Sequence, residues 1–145
     1  QDDFKILIGG PIQTILTGTI GFLVLAYRKS KIKKYGLKTL DWIFVFLSLF
    51  WLREIFNLVH SIVFELINRE GNYFGGDERY ISEFLQLESG TIPIILGIIG
   101  LVISLYVIFK ILPGKLQVPF IISGLVGGAS GFFLWFEFLD PILIL

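Results

Sequence analysis

Cysteine and methionine are absent from this 145-residue sequence, and His60 is its single histidine. Without cysteine there is no disulfide framework, no thiolate metal site and no thiol nucleophile. With one histidine, the chain by itself cannot assemble the histidine- or cysteine-rich ligand set of an ordinary zinc site. HExxH, GxSxG, P-loop and CxxC motifs are all missing, which removes the common catalytic signatures of soluble enzymes. An excess of one charge sign is missing too. Twelve Lys and Arg balance 12 Asp and Glu, so nothing in the charge suggests nucleic acid as a partner. The lack of an initiator Met implies that residues once preceded Gln1. Either a signal peptide has been removed, or this is the downstream part of a longer protein.

Apolar residues are what the chain has in abundance. It is 54% hydrophobic and 16% aromatic with a mean hydropathy of +0.81, against an apolar fraction of roughly 45–50% in soluble domains. The excess is gathered into blocks: 6–27, 91–109 and 116–136 contain no charged residue. Each block is near the roughly 20 residues that cross a hydrocarbon core of about 30 Å. A soluble amphipathic helix would place a charge every third or fourth residue. The expected fold is therefore an all-α membrane protein with four transmembrane helices in two hairpins. It forms a single polytopic domain over 1–145, with spans near 7–27, 40–67, 92–112 and 118–139.

Charge sets the expected orientation. The connection at 28–38 holds Arg28, Lys29, Lys31, Lys33, Lys34 and Lys38 without an acid, and short basic loops stay on the cytoplasmic side. Both termini then face the non-cytoplasmic side, and a bacterial inner membrane is the expected location. In the loop between spans two and three, Glu70, Asp77, Glu78, Glu83 and Glu88 outnumber Arg69 and Arg79, as an outer loop should show. Within it, 77–87 predicts a short amphipathic helix with Asp77 as N-cap. Tyr80, Ile81, Phe84 and Leu85 would form its apolar face, against the interface or on the outer ends of the spans. Gly9-Gly10-Pro11 opens the first span, where proline in a first turn costs no hydrogen bond.

The segment WLREIFNLVH, 51–60, puts four polar side chains inside the second span. At 100° per residue, Arg53, Asn57 and His60 share one stripe, and Glu54, Ser61 and Glu65 form a second beside it. An ionised side chain facing lipid costs about 2.5–3.5 kcal/mol, so this sector is expected to face inward. One reading is a packing network in which Arg53 pairs with Glu54 or Glu137, while Asn57 and His60 bond to neighbouring helices. The other is the wall of a site for a metal, a proton path or a peptide carbonyl, to which a titrating His60 would contribute. Gln13, the strongly polar residue of the first span, is a candidate to face this stripe. Thr14/Gly18, Thr17/Gly21, Gly100/Ser104, Gly124/Gly128 and Gly127/Gly131 are small-xxx-small pairs suited to close helix packing. In Gly75-Gly76-Asp77-Glu78, the aspartate can serve as a cap or as a metal ligand.

Four stretches, IGGPIQTILTGTIG, REIFNL, GGDERYISEFLQL and LVGGASGFFLWF, carry a family likeness. Together they resemble the membrane portion of site-2-protease-like intramembrane zinc metallopeptidases of the kind found in Bacteroidetes. In that family an HExxH helix lies upstream, a Gly-Pro-containing helix follows, and a downstream aspartate completes the metal site. The resemblance implies that Gly10-Pro11 belongs to the Gly-Pro helix, that Asp77 is the downstream acid, and that zinc is the cofactor. The chain departs from the pattern in having no HExxH, so a peptidase role requires that motif upstream.

Two functions are therefore expected from the sequence. The first is the downstream helices of such a peptidase. The second is a non-catalytic four-helix subunit that packs against a larger membrane complex. In either case the partners are the lipid bilayer and further membrane helices, whether from another protein or from missing upstream sequence. A transporter is disfavoured because spans three and four offer few polar groups.

Overall fold

A computed structural model describes residues 2–68, 74 and 77–134. Among these residues every regular element is a helix, and the chain forms two compact units, 1–111 and 112–145. The first unit contains α1 (Asp2–Tyr35), α2 (Thr39–Ser48), α3 (Leu52–Asn68), α4 (Asp77–Phe84) and α5 (Thr91–Tyr106). Three helical stretches are long and apolar enough to cross a membrane: Ile8–Tyr35, Thr39–Val63 and Thr91–Ile111. The second unit contributes α6 (Gly114–Leu134). This helix covers most of the expected fourth span, whose remainder to 139 lies outside the described residues.

Two expectations about the first span change. α1 begins at Asp2, so Pro11 lies inside the helix, where its side chain is fully buried. Membrane helices tolerate such prolines because neighbouring groups absorb the freed backbone. At the other end α1 runs straight through the basic segment to Tyr35, and the loop shrinks to three residues. Gly36 at φ +78° stops it, with its N–H returning to the Ile32 carbonyl at 2.9 Å. A left-handed stop of this kind suits glycine.

The second span is one rod with a tight turn in it. Ser48 Oγ donates to the Val45 carbonyl at 2.7 Å, and a 3₁₀ turn at Leu49–Trp51 follows before α3 resumes. A back-bonded serine competes with the helical ladder and bends it locally. The third span likewise leaves α-geometry at its end, passing into a π-helical turn at Val107–Ile111.

Packing within the first unit is inside-out relative to a soluble protein. Thr14, Ser48, Glu54, Glu78, Ser82 and Ser104 are buried, while Leu16, Leu23, Phe46, Phe56, Leu101 and Val102 are exposed. A continuous apolar exterior of this extent marks a surface meant for something other than water. The all-helical fold and its apolar helices are compatible with an integral membrane protein.

Small residues bring the helices together. A Cβ on Gly21 of α1 would stand 2.5 Å from the Ser48 backbone nitrogen, and one on Gly18 would stand 2.6 Å from Trp51 Cδ1. From the other side, a Cβ on Gly100 of α5 would meet the Trp51 carbonyl oxygen at 2.7 Å. Trp51, 4% exposed, is thus clasped between α1 and α5. At the basic end, Arg28 of α1 pairs with buried Asp41 in the first turn of α2, and Lys29 donates to Tyr106 Oη at 2.8 Å. The glycines of α6 differ, since a Cβ at Gly124, Gly127, Gly128 or Gly131 meets nothing within 4 Å.

Gly21→Ala should therefore lower stability in detergent micelles by about 1–3 kcal/mol, as overpacking against backbone does. Gly9→Ala, where a Cβ meets nothing within 4 Å, should be neutral or stabilising by up to about 1 kcal/mol through helix propensity. Denaturant titration of both variants checks the pair, and the reverse order would contradict the packing.

Candidate functional site

Arg53 organises the polar interior of the first unit. Its Nη1 donates to Thr14 Oγ1 of α1 at 3.0 Å and stands 3.8 Å from Glu54 Oε1. Its Nη2 stands 3.6 Å from Asp77 Oδ2 and 3.7 Å from Glu78 Oε1, both at the start of α4. Asn57, one turn along α3, donates from Nδ2 to Glu78 Oε1 at 3.3 Å. Three carboxylates from α3 and α4 and one hydroxyl from α1 thus surround a single guanidinium, and Asn57 holds one of those carboxylates.

The carboxylates in this group are not equivalent. The Glu54 and Glu78 side chains are each 1% exposed, whereas that of Asp77 is 35% exposed. Glu54 Oε1 and Glu78 Oε2 accept no hydrogen bond among the described residues. Three carboxylates face one guanidinium at ion-pair range, so the cluster is acid-rich. Buried charges of this kind hold together only while every partner stays in place.

α4 packs through its acidic side and leaves its apolar side outward, which departs from the expectation of packing on the span ends and not from that of an outward, interfacial apolar face. Glu78 and Ser82, one turn apart, are buried, while Tyr80, Phe84 and Leu85 are 55%, 62% and 53% exposed. Arg53 and Asn57 require acceptors inside, and the aromatic side is left to the exterior. Ser82 locks the arrangement: its Oγ donates to the Glu78 carbonyl at 3.0 Å and accepts the Ile92 N–H of the first turn of α5 at 3.1 Å. That N–H is one of the four a helix start leaves without an internal partner. Asp77 is the first residue of α4, and its carboxylate contact is with Arg53. At the far end Arg79 donates to Glu83 Oε1 at 2.7 Å and to the Phe74 carbonyl at 3.3 Å. The hydrogen bond from Arg79, helped by Ser89, holds the Glu83 carboxyl below the usual glutamate range. Its small contribution is present above that range and fades as pH falls through the lowered value.

The sequence candidates divide clearly. Arg53, Glu54, Asn57 and Asp77 come together. His60 shares their helix but is exposed, with its ring stacked on Phe56 at a 6.0 Å centroid separation. Gln13 is exposed, and its neighbour Thr14 makes the contact to Arg53 instead. Glu137 lies outside the described residues. Sequence reasoning missed Thr14 and Glu78. Thr14 had a usable signal, because Pro11, Thr14, Gly18, Gly21 and Leu25 follow helical spacing and all are buried. Glu78 had none, because its burial depends on how α4 turns.

The residues assigned to the peptidase motif also meet. A Cβ on Gly10 would lie 3.6 Å from Asp77 Oδ2 and 3.9 Å from Arg53 Nη2. Within the connection between α3 and α5, the first turn of α4 reaches α1 and α3. Zinc does not fit the donors of the described residues alone, since no group of three His, Cys, Asp or Glu among them could hold a metal. Comparison with known family models, curated proteins and solved structures finds no match to this chain.

Removing the guanidinium should strand two buried carboxylates. Arg53→Ala is expected to cost about 3–5 kcal/mol of stability, and Arg53→Lys to recover only part of it because one ammonium cannot span the same four partners. Gln13→Ala should stay within about 0.5 kcal/mol, as exposed substitutions do. Unfolding of the three variants in one detergent gives the comparison.

Proposed function

We propose that the chain is an integral membrane module forming the downstream helices of a site-2-protease-like metallopeptidase. In this role α1 and α4 set Asp77 beside a metal centre whose other ligands come from an upstream HExxH segment. The observation that supports the reading is the nearness of Gly10 to Asp77, where an added Cβ would lie 3.6 Å from Oδ2; these are the two positions the resemblance assigns to the Gly-Pro helix and the downstream acid. Asp77 also remains accessible while Glu54 and Glu78 are closed off. Arg53 would act behind it as the group that orients a ligating carboxylate, the usual office of an outer-shell partner. When bound, zinc would supply an activated water and a Lewis acid. The residues of this chain would contribute the carboxylate and its orientation.

A second reading is a non-catalytic membrane subunit, favoured by the occupancy of Arg53: Thr14, Glu54, Asp77 and Glu78 all attend to it. In both readings the basic end of α1 faces the cytoplasm of a bacterial inner membrane and α4 the opposite side.

Two experiments test this. Zinc measured in the protein purified from its complete gene should fall at least tenfold in Asp77→Asn, with the helical circular-dichroism signal unchanged. A complete gene without HExxH, or a protein without zinc, would overturn the peptidase reading and leave the subunit. Because the sequence has no cysteine, single cysteines at Lys33 and Glu83 can be labelled cleanly. In intact cells an impermeant maleimide should reach Glu83→Cys and spare Lys33→Cys.

A further inference from the structure

The basic end of α1 uses its cations in two different ways. Arg28 and Lys29 turn toward the bundle, to Asp41 and Tyr106. Leu25 and Ile32, on that same side, are 0% and 1% exposed. On the opposite side Tyr27, Lys31 and Lys34 follow one another at i, i+4 and i+7, which places them on one stripe. All three are exposed, Tyr27 at 86%. Lys34 Nζ lies over the Tyr35 ring at 5.1 Å, which holds it near a second aromatic residue.

Length places this stripe relative to a bilayer. The stretch Ile8–Tyr35 has 28 residues, about 42 Å at 1.5 Å per residue. That exceeds a hydrocarbon core of about 30 Å by roughly 12 Å, the length of the last eight residues, 28–35. Tyr27 then sits at the hydrocarbon boundary. Lys31 and Lys34 follow about 6 and 10 Å beyond it, where lipid phosphates lie. From Ile8 to Arg53 the sequence has one acid, Asp41, and that carboxylate is buried between Arg28 and the Lys38 N–H. Nothing acidic on this stretch is left to repel an anion.

We propose that Tyr27, Lys31 and Lys34 form a binding stripe for the phosphodiester headgroups of anionic phospholipids, with Tyr27 at the acyl boundary and the two lysines on the phosphates. The proposal rests on the membrane reading above. It adds a lipid class and a place to that reading, beyond the diffuse positive charge that sets orientation.

The test uses the protein from its complete gene in nanodiscs of phosphatidylcholine with and without phosphatidylglycerol, reading retained lipid by native mass spectrometry. The wild-type protein should retain phosphatidylglycerol over phosphatidylcholine at low salt. The double variant K31Q/K34Q should weaken that retention by about fivefold per lysine removed. The charge-matched double variant K110Q/K115Q, which alters two exposed lysines outside the stripe, should leave it within twofold. Equal losses in the two double variants would show a diffuse field and overturn the stripe, as would equal retention of the two lipids by the wild type. Release of the protein from native membranes by alkaline carbonate would overturn the membrane reading itself. Retention in the carbonate pellet with no lipid preference would overturn the lipid proposal alone.

Discussion

A guanidinium placed midway along an apolar helix has few ways to be tolerated. Arg53 cannot give up its proton, so the surroundings must supply acceptors or water. In this protein the acceptors come from α1, α3 and the first turn of α4. Much else follows from that demand. α4 folds back over α1 and α3, and its acidic side turns inward. Ser82 then lies where it can cap α5. α4 is thus fastened down by the polar residues a hydropathy profile would count against a span.

The same demand explains why small residues matter so much here. Lipid tails are as apolar as leucine, so burying leucine between helices gains little in a bilayer, and close packing and hydrogen bonds carry the association. Gly18 and Gly100 let α1 and α5 close on Trp51, and Gly21 lets α1 close on the Ser48 backbone, to distances that no larger side chain permits. Buried Thr14, Ser48 and Ser104 share that interior. Leu25, Ile32 and Val45 are buried as well, but many leucines, isoleucines and phenylalanines lie on the outside, where a soluble fold would carry its charges.

Several features were readable in the sequence because they depend on composition and period. Helical class, the positions of three apolar stretches and the existence of a short helix at 77 all follow from charge-free runs and apolar spacing. The wheel also places Arg53, Asn57 and Glu54 in one inward sector, but it puts His60 on the same stripe, and His60 is exposed. What could not be read were contacts decided between elements. Gln13 looked the better partner for Arg53 because it is the more polar residue, but it sits 100° away from the buried stripe that carries Thr14. The apolar face of α4 could be read as facing either the interface or the span ends; the demand of Arg53 and Asn57 for acceptors decides it, and Glu78 goes in. The basic segment looked like a loop because lysines end a span, yet lysine is a good helix former, and α1 simply continues to Gly36.

The inequality among the three carboxylates bears most directly on function. A network evolved only to neutralise Arg53 would gain from closing all of its acids away from solvent, since attraction strengthens as water leaves. Glu54 and Glu78 follow that logic, at 1% exposure each. Asp77 does not: it keeps a third of its side-chain surface, with Arg53 on one side and Gly10 close by. At Gly10 any larger residue would narrow the approach to that carboxylate. Asp77 is thus the acid of the three that keeps solvent access, paired with Arg53 on one side and flanked by a residue without a side chain on the other. The two closed acids hold Arg53 from within the bundle.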